Sequence, residues 1–167
     1  MSVVSVEQIY EWLQEVTDPE VPVLTILDLG IVREVHTSLT DAGAAKATII
    51  ITATYSGCPA MDVIGMNIRM ALMSHGILEV VIEQRISPAW TTDWMTETGK
   101  EKLKAYGIAP PQRKSTVTQG IFEEEIVPCP KCGSEDTTEV SRFGATACKS
   151  MFKCNHCKEP FEHFKCH

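Results

Sequence analysis

Apolar residues recur at helical spacing near the start of the chain, at Val6, Ile9, Tyr10, Leu13 and Val16. Ser5 and Gln8 stand three residues apart just before them, the pattern of a capping box. The spacing predicts a helix that Thr17-Asp18-Pro19 stops, because proline disfavours helical geometry in the residue before it. A proline-containing loop, DPEVPVLTILDLG, follows, and Gly30 marks the entry to a strand from Ile31 to Val35. Asp41-Ala42-Gly43 reads as a turn, and the β-branched run from Ala47 to Thr54 reads as a second strand. The two strands are expected to form an antiparallel hairpin. Met61, Ile64, Ile68, Ala71 and Leu72 mark one face of a second helix, which Gly76 ends. Leu78 to Ile86 reads as a third strand. Trp90 and Trp94 then precede a short amphipathic helix around Glu101 to Tyr106, and APPQRKSTVTQG has the composition of a linker.

This order, α-β-β-α-β-α, predicts an α+β chain whose first domain, residues 1–106, is a two-layer α/β sandwich. A linker is expected at 107–123 and a small zinc ribbon at 124–167. The length of 167 residues accommodates both. No apolar run approaches the 20 or so residues of a membrane span. The early glutamates and the lack of a basic leading segment argue against a secretory signal. The expected location is the cytoplasm, with no membrane partner.

The cysteines change the picture most. Of the seven, six lie in the last 39 residues. A secreted disulfide scaffold would spread its cysteines through the chain, so this distribution points to a reducing compartment and a metal-stapled tail. Cys129-Pro-Lys-Cys132 and Cys154-Asn-His-Cys157 are separated by 21 residues. Two such knuckles can place four thiolates at the corners of a tetrahedron, joined by a hairpin with strands at Thr137 to Val140 and Lys149 to Lys153. Zinc suits a closed, structural tetrathiolate, although rubredoxin-type iron uses the same ligands and paired disulfides are the competing arrangement. His156 reads as a loop residue of the knuckle. Cys148 and Cys166 are either small buried apolar residues or a second thiol pair, with His163 and His167 near enough in sequence to assist metal handling.

Cys58 stands alone, between a strand and a helix, in Thr54-Tyr55-Ser56-Gly57-Cys58-Pro59. Proline favours the first helical position, which puts Cys58 near the cap. Free N–H groups and the helix dipole there are expected to ease ionisation of the thiol. The alternative is an inert, packed cysteine. The carboxylates of Asp18, Glu20 and Asp28 either converge on Cys58 or serve as turn formers, and Thr52 and Thr54 share one face of the strand end. No catalytic triad, phosphate loop or dinucleotide fingerprint is present.

DPEVPVLTILDLGIV and ITATYSGCPAMDVI resemble the domain of SufT-type iron–sulfur assembly factors, with its DPE-(I/V)-P, DLG and T-x-x-x-CP elements. The resemblance places that family's reactive cysteine on Cys58 and its DLG aspartate on Asp28, with Thr54 completing the cysteine motif. SPAWTTDWMTETGKEKLKAYGIAPP, CPKCGSEDTTEVSRFGATACKSMFKC and EPFEHFKC extend the resemblance to the PaaD family of phenylacetyl-CoA epoxidase subunits, over nearly the whole chain. It implies an accessory role in aerobic phenylacetate catabolism. The work implied is maturing or repairing metal centres, with the diiron oxygenase and iron–sulfur reductase subunits as partners. Transient iron or an iron–sulfur cluster at Cys58 and structural zinc in the tail are the cofactors it implies. It also leaves room for a homodimer.

The residues favour assembly over oxygenase chemistry. A diiron site is built from Glu-x-x-His pairs, and none of the five histidines has a glutamate three residues before it. Intrinsic catalysis is therefore not expected. A subunit retained in the oxygenase complex is the second reading, and Trp90 and Trp94 are either anchors for a client of the assembly role or core and loop-packing residues. A nucleic-acid-binding ribbon is the third. The net charge of −7, and six basic against seven acidic residues in 124–167, weigh against it.

Overall fold

Helix α1 (Val6–Leu13) begins as its capping box dictates. The Ser5 hydroxyl accepts the Gln8 N–H at 3.2 Å, and the Gln8 side chain accepts the Ser5 N–H at 3.1 Å. The computed structural model describes residues 4–112 and 126–165. It divides into two units, residues 1–99 and 100–167.

In the first unit, β1 (Val32–Leu39) pairs antiparallel with β2 (Ala45–Ile51), as the turn signal predicts. β2 then pairs parallel with β3 (Glu79–Gln84), so the sheet order is β1-β2-β3. A parallel pair needs a crossover, and α2 (Ala60–Ser74) supplies it. Gly76, at φ +89°, adopts the left-handed turn expected after that helix. Ala47, Ile49 and Ile51 alternate on one sheet face and are fully buried. Ile9 and Leu13 of α1 and Ile64, Ile68 and Leu72 of α2 complete the core beside them. The chain is thus an α/β sandwich followed by a ribbon.

The loop between α1 and β1 differs from its sequence reading. α1 ends at Leu13 rather than Val16, and the chain folds into a series of turns. Val21, Leu24, Ile26, Leu29 and Ile31 are all at most 2% exposed, so the proline-containing loop is itself core. Side chains replace the missing secondary structure. The Asp18 carboxylate accepts the N–H groups of Glu20 and Val21 at 2.8 and 2.7 Å. Asp28 accepts the Thr25 N–H at 3.0 Å, and the Thr25 hydroxyl accepts the Asp28 N–H at 3.0 Å.

The same turn grips the segment after β3. The Asp28 carbonyl accepts the Thr96 N–H at 2.9 Å, and its carboxylate accepts the Thr96 hydroxyl at 3.2 Å. The Trp90 indole donates to the Leu29 carbonyl at 2.8 Å. Trp90 is 4% exposed, and the Arg33 guanidinium covers the Trp94 ring at 3.8 Å. Trp90 is therefore a core residue, one of the two readings its sequence leaves open, while Trp94 is half-buried beneath Arg33. Their rings find local partners, which sequence spacing does not reveal.

The second unit is a four-stranded sheet of order β4-β7-β6-β5. Its strands are β4 (Ile108–Ala109), β5 (Thr137–Ser141), β6 (Lys149–Cys154) and β7 (Pro160–Phe164). Helix α3 (Glu97–Tyr106) straddles the division between the units. The β5–β6 hairpin lies where the sequence places it. β4 lies in the stretch read as linker, and it pairs parallel with β7 because Ile108 and Ala109 are apolar enough to bury. The rest of that linker, 113–123, lies outside the described residues. Val127, Phe152 and Phe161 form the small ribbon core together with Ala109, Cys129 and Cys154.

Gly30 holds the first unit at its tightest point. Its φ is +67°, and a Cβ there would sit 2.2 Å from the Trp94 carbonyl oxygen. Gly30→Ala adds left-handed strain to a backbone clash, so a loss of about 2–4 kcal/mol is expected. Chemical denaturation of the variant checks this, and an unchanged midpoint would contradict the packing described.

Candidate functional site

The two cysteine knuckles fold alike. In each, the N–H of the first cysteine bonds to the carbonyl five residues on, Cys129 to Ser134 at 2.9 Å and Cys154 to Glu159 at 3.0 Å. In each, the residue after the second cysteine is left-handed, Gly133 at φ +76° and Lys158 at φ +67°. These turns aim all four sulfurs at one point. Cys129 Sγ lies 3.8 Å from Cys157 Sγ, and Cys132 Sγ lies 3.6 Å from Cys154 Sγ. All four sulfurs lie within 4.8 Å of one another. A tetrahedron with zinc–sulfur bonds of about 2.3 Å has edges of roughly 3.8 Å. The donor set and its spacing therefore fit a closed zinc tetrathiolate, and the thiols are free rather than paired as disulfides.

Local hydrogen bonding prepares the thiols unequally. The Cys157 N–H is the largest influence on Cys154, burial opposes it, and the His156 N–H adds to it; the thiol comes down to about 6. At Cys157 the Glu159 N–H pulls down, but burial and the neighbouring thiols prevail and push it up to about 12. One negative charge thus settles readily, and further ones need a cation. Lys131 Nζ bridges the knuckles to Glu159 at 2.7 Å.

The four-cysteine group does not include the remaining described candidates of the tail. Cys148 is buried, with its thiol 3.0 Å from the Thr146 hydroxyl. His156 is exposed in the second knuckle. His163 is buried, edge-on to Phe152 and 3.5 Å from the Ser150 hydroxyl. Cys166 and His167 lie outside the described residues. Sequence reasoning missed a buried ion pair, Lys149 Nζ to Glu162 Oε2 at 2.8 Å, with the Ala145 N–H on the same carboxylate at 3.0 Å. Alternation along β6 and β7 is the available signal, and it becomes usable only once β7 is known to be a strand.

Cys58 sits half-buried in the turn before α2, and Pro59 occupies the cap position. The helix start is expected to ease its ionisation. The structure reverses that direction. Burial pushes the thiol up, while hydrogen bonds with the Tyr55 side chain and the Ala60 backbone pull it down. The charges of Glu20 and Asp18 push it up again, and it ends above the ordinary thiol value. Asp18 and Glu20 thus do face Cys58 electrostatically. Asp28 gives its carboxylate oxygens to the Thr25 N–H and the Thr96 hydroxyl, and so positions the loop. Thr54 is half-buried in the turn before Cys58, and Thr52 is buried with its N–H on the Ile31 carbonyl at 2.9 Å.

Comparison with known proteins matches both units. Residues 6–81 match the family model described as iron-sulfur cluster assembly protein. Residues 113–165 match the PaaD zinc beta ribbon domain. The chain is 45% identical over 161 residues to a putative 1,2-phenylacetyl-CoA epoxidase subunit of Escherichia coli, covering 96% of this chain and 93% of that protein. It is 38% identical over 99 residues to an Fe-S protein maturation auxiliary factor of Porphyromonas gingivalis, covering 58% of this chain and 89% of that one. Among solved structures, the DUF59 domain from Bacillus anthracis matches with a TM-score of 0.50 at 25% identity, covering 58% of this chain and 89% of that one.

Two outcomes follow from the site geometry. Cys129→Ser or Cys154→Ser is expected to cut bound zinc from one ion per chain to well below that, measured by elemental analysis. Because protons compete with the ion, wild-type zinc should be retained at neutral pH and released only in acid, below the metal-free thiol's value of about 6, since the bound ion holds its ligands deprotonated. At the other thiol, Glu20→Gln removes a charge that raises Cys58, so its pKa should fall. Alkylation of Cys58 at pH 8 should speed up by roughly two- to fivefold. An unchanged rate would show that Glu20 does not govern this thiol.

Proposed function

The chain belongs to the PaaD family of 1,2-phenylacetyl-CoA epoxidase subunits, and from this premise we propose that it matures or repairs the metal centres of that oxygenase. The observation that carries the reading is the pairing of two kinds of thiol in one chain. Four are built into a closed centre, which has no open position and so is structural. The fifth, Cys58, lies at the start of α2 in the unit matching iron–sulfur assembly proteins, half-buried and faced by carboxylates.

Those surroundings suit a cargo cation. A thiol held protonated by burial, with nearby negative charge adding to the effect, is deprotonated when a cation arrives, because the cation replaces the proton and meets the carboxylates' attraction. The cargo is ferrous iron or an iron–sulfur cluster, and Cys58 is the residue that receives and releases it. Asp18 and Glu20 supply the attracting charge. Asp28 holds the loop bearing Asp18 and Glu20 in place. The clients are the diiron oxygenase and iron–sulfur reductase subunits, and the ribbon contributes to docking on them. The cytoplasm is the compartment that suits reduced thiols, and no helix among the described residues is long and apolar enough to cross a membrane.

The name of the Escherichia coli relative favours a second reading, a subunit retained in the oxygenase for structural or regulatory reasons. The two readings part in one experiment. The epoxidase subunits are co-expressed with wild-type chain, with the Cys58→Ser variant, or with none. The maturation reading expects client iron to fall several-fold with Cys58→Ser, while the variant keeps its zinc and its fold. Full iron loading without the chain, together with its co-purification at fixed stoichiometry, would replace maturation with the structural role.

A further inference from the structure

Helix α2 turns Ile64, Ile68 and Leu72 into the core. Its opposite face is not polar. Val63, Met66, Met70 and Met73 are 39%, 53%, 63% and 51% exposed, and Leu78, just past the helix, is 73% exposed. Their spacing places the four helical residues on one stripe. Asp62 and Arg69 are the only charged residues of the helix, and helical periodicity sets both on the same flank of that stripe. Isolated exposed apolar side chains are ordinary, but a continuous stripe marks an interaction surface.

We propose that this stripe is a two-fold interface between two copies of the chain, with α2 packed antiparallel against its mate. The pattern is its own complement. It is symmetrical about Ile68, so the pairing sets Val63 opposite Met73 of the partner subunit and Met66 opposite Met70 of the partner subunit. An isologous contact requires this kind of self-matching. Charge fits as well. The two-fold brings like flanks together with their direction reversed. Each Arg69 then stands about 7.5 Å along the axis from Asp62 of the partner subunit, within the reach of an arginine side chain.

Area decides between a second copy and an accidental patch. The stripe and Leu78 present on the order of 500 Å² of apolar surface. A standard interface buries about 800 Å² per partner, a little over half of it apolar. The stripe therefore supplies the apolar centre of a standard interface, with the flanking polar residues as its rim. Unbranched methionine side chains adapt to one another across such a seam. The inference is independent of the maturation role, since it rests on α2 and the residue just past it.

The test is the mass of the zinc-loaded full chain in solution, by light scattering over a concentration series up to about 100 µM. Wild type is expected at twice the 18.5 kDa chain mass. The Met66→Glu/Met70→Glu variant is expected as a monomer, with dimerisation weakened at least about 100-fold and with unchanged circular dichroism and zinc content. A Val63→Cys/Met73→Cys variant in a Cys58→Ser background should form a cross-linked dimer on oxidation, which reads the register. Wild type that stays monomeric at the highest concentration overturns the proposal. So does a double glutamate variant that remains dimeric. Should wild type be monomeric and the glutamate variant fail to bind a purified epoxidase subunit, the stripe belongs to a client and not to a second copy.

Discussion

Four thiols whose sulfurs all lie within 4.8 Å are a constraint before they are a site. Four negative charges at that spacing repel strongly, and protonated thiols offer only weak hydrogen bonds in exchange. A doubly charged cation at the centre turns the repulsion into the bond that holds the fold. The ribbon depends on it, because its own core is a few residues, and Cys129 and Cys154 are part of that core. The knuckle turns are arranged to serve this centre. Their repeated N–H to carbonyl bonds fix the backbone, and the left-handed residue after each pair returns the chain sharply. Lys158 takes that conformation without the freedom of glycine, so the second knuckle carries a small strain that metal binding offsets.

The first unit is held by different means. It has three strands and two packed helices of its own, and an unusually buried loop between α1 and β1. That loop is stable because carboxylates stand in for secondary structure. Asp18 and Asp28 are 9% and 7% exposed, and each accepts backbone N–H groups that the turns would otherwise leave without partners. Both aspartates therefore have a structural task. Asp18 also lends its charge to Cys58, so the stability of the loop and the electrostatics of the thiol are tied to one residue.

Local chemistry was legible in the sequence, and long-range pairing was not. The capping box of Ser5 and Gln8, the hairpin of β1 and β2, the start of α2 and the two knuckles all follow from neighbouring residues. The parallel placement of β3 on β2 follows from the strand–helix–strand order, but the pairing register is set by how α2 packs on the sheet, which the sequence pattern alone leaves open. β4 is two residues long and gains its stability from β7, so its own sequence carries almost no signal. The buried loop reads as a surface connection because its prolines and aspartates are turn formers. Its alternating Leu24, Ile26 and Leu29 hint at burial, but only the bonds to Thr25 and Thr96 show how the turns survive inside. At Cys58 the position was readable and the electrostatics were not. A helix start lowers a thiol pKa only where burial and nearby carboxylates do not outweigh it, and Asp18 and Glu20 lie nearly forty residues away in sequence.

Cys154 and Cys58, one in each unit, are set in opposite directions. Both are cysteines at tight turns, and both accept backbone N–H hydrogen bonds. Cys154 has the N–H groups of Cys157 and His156 and no facing carboxylate among its influences, and it comes down to about 6. Cys58 has the backbone of Ala60 and the side chain of Tyr55, but it is buried and faces Glu20 and Asp18, and it rises. A lowered thiol joined by three others surrounds an ion and keeps it. A raised thiol with no other cysteine in its unit would hold an ion only as strongly as one sulfur and two outlying charges allow, with the proton competing for it throughout. The two thiols are thus set in opposite directions by the same physics, backbone N–H donors against burial and facing carboxylates. On the maturation proposal, a chain that keeps one metal while passing on another uses both settings, in separate units.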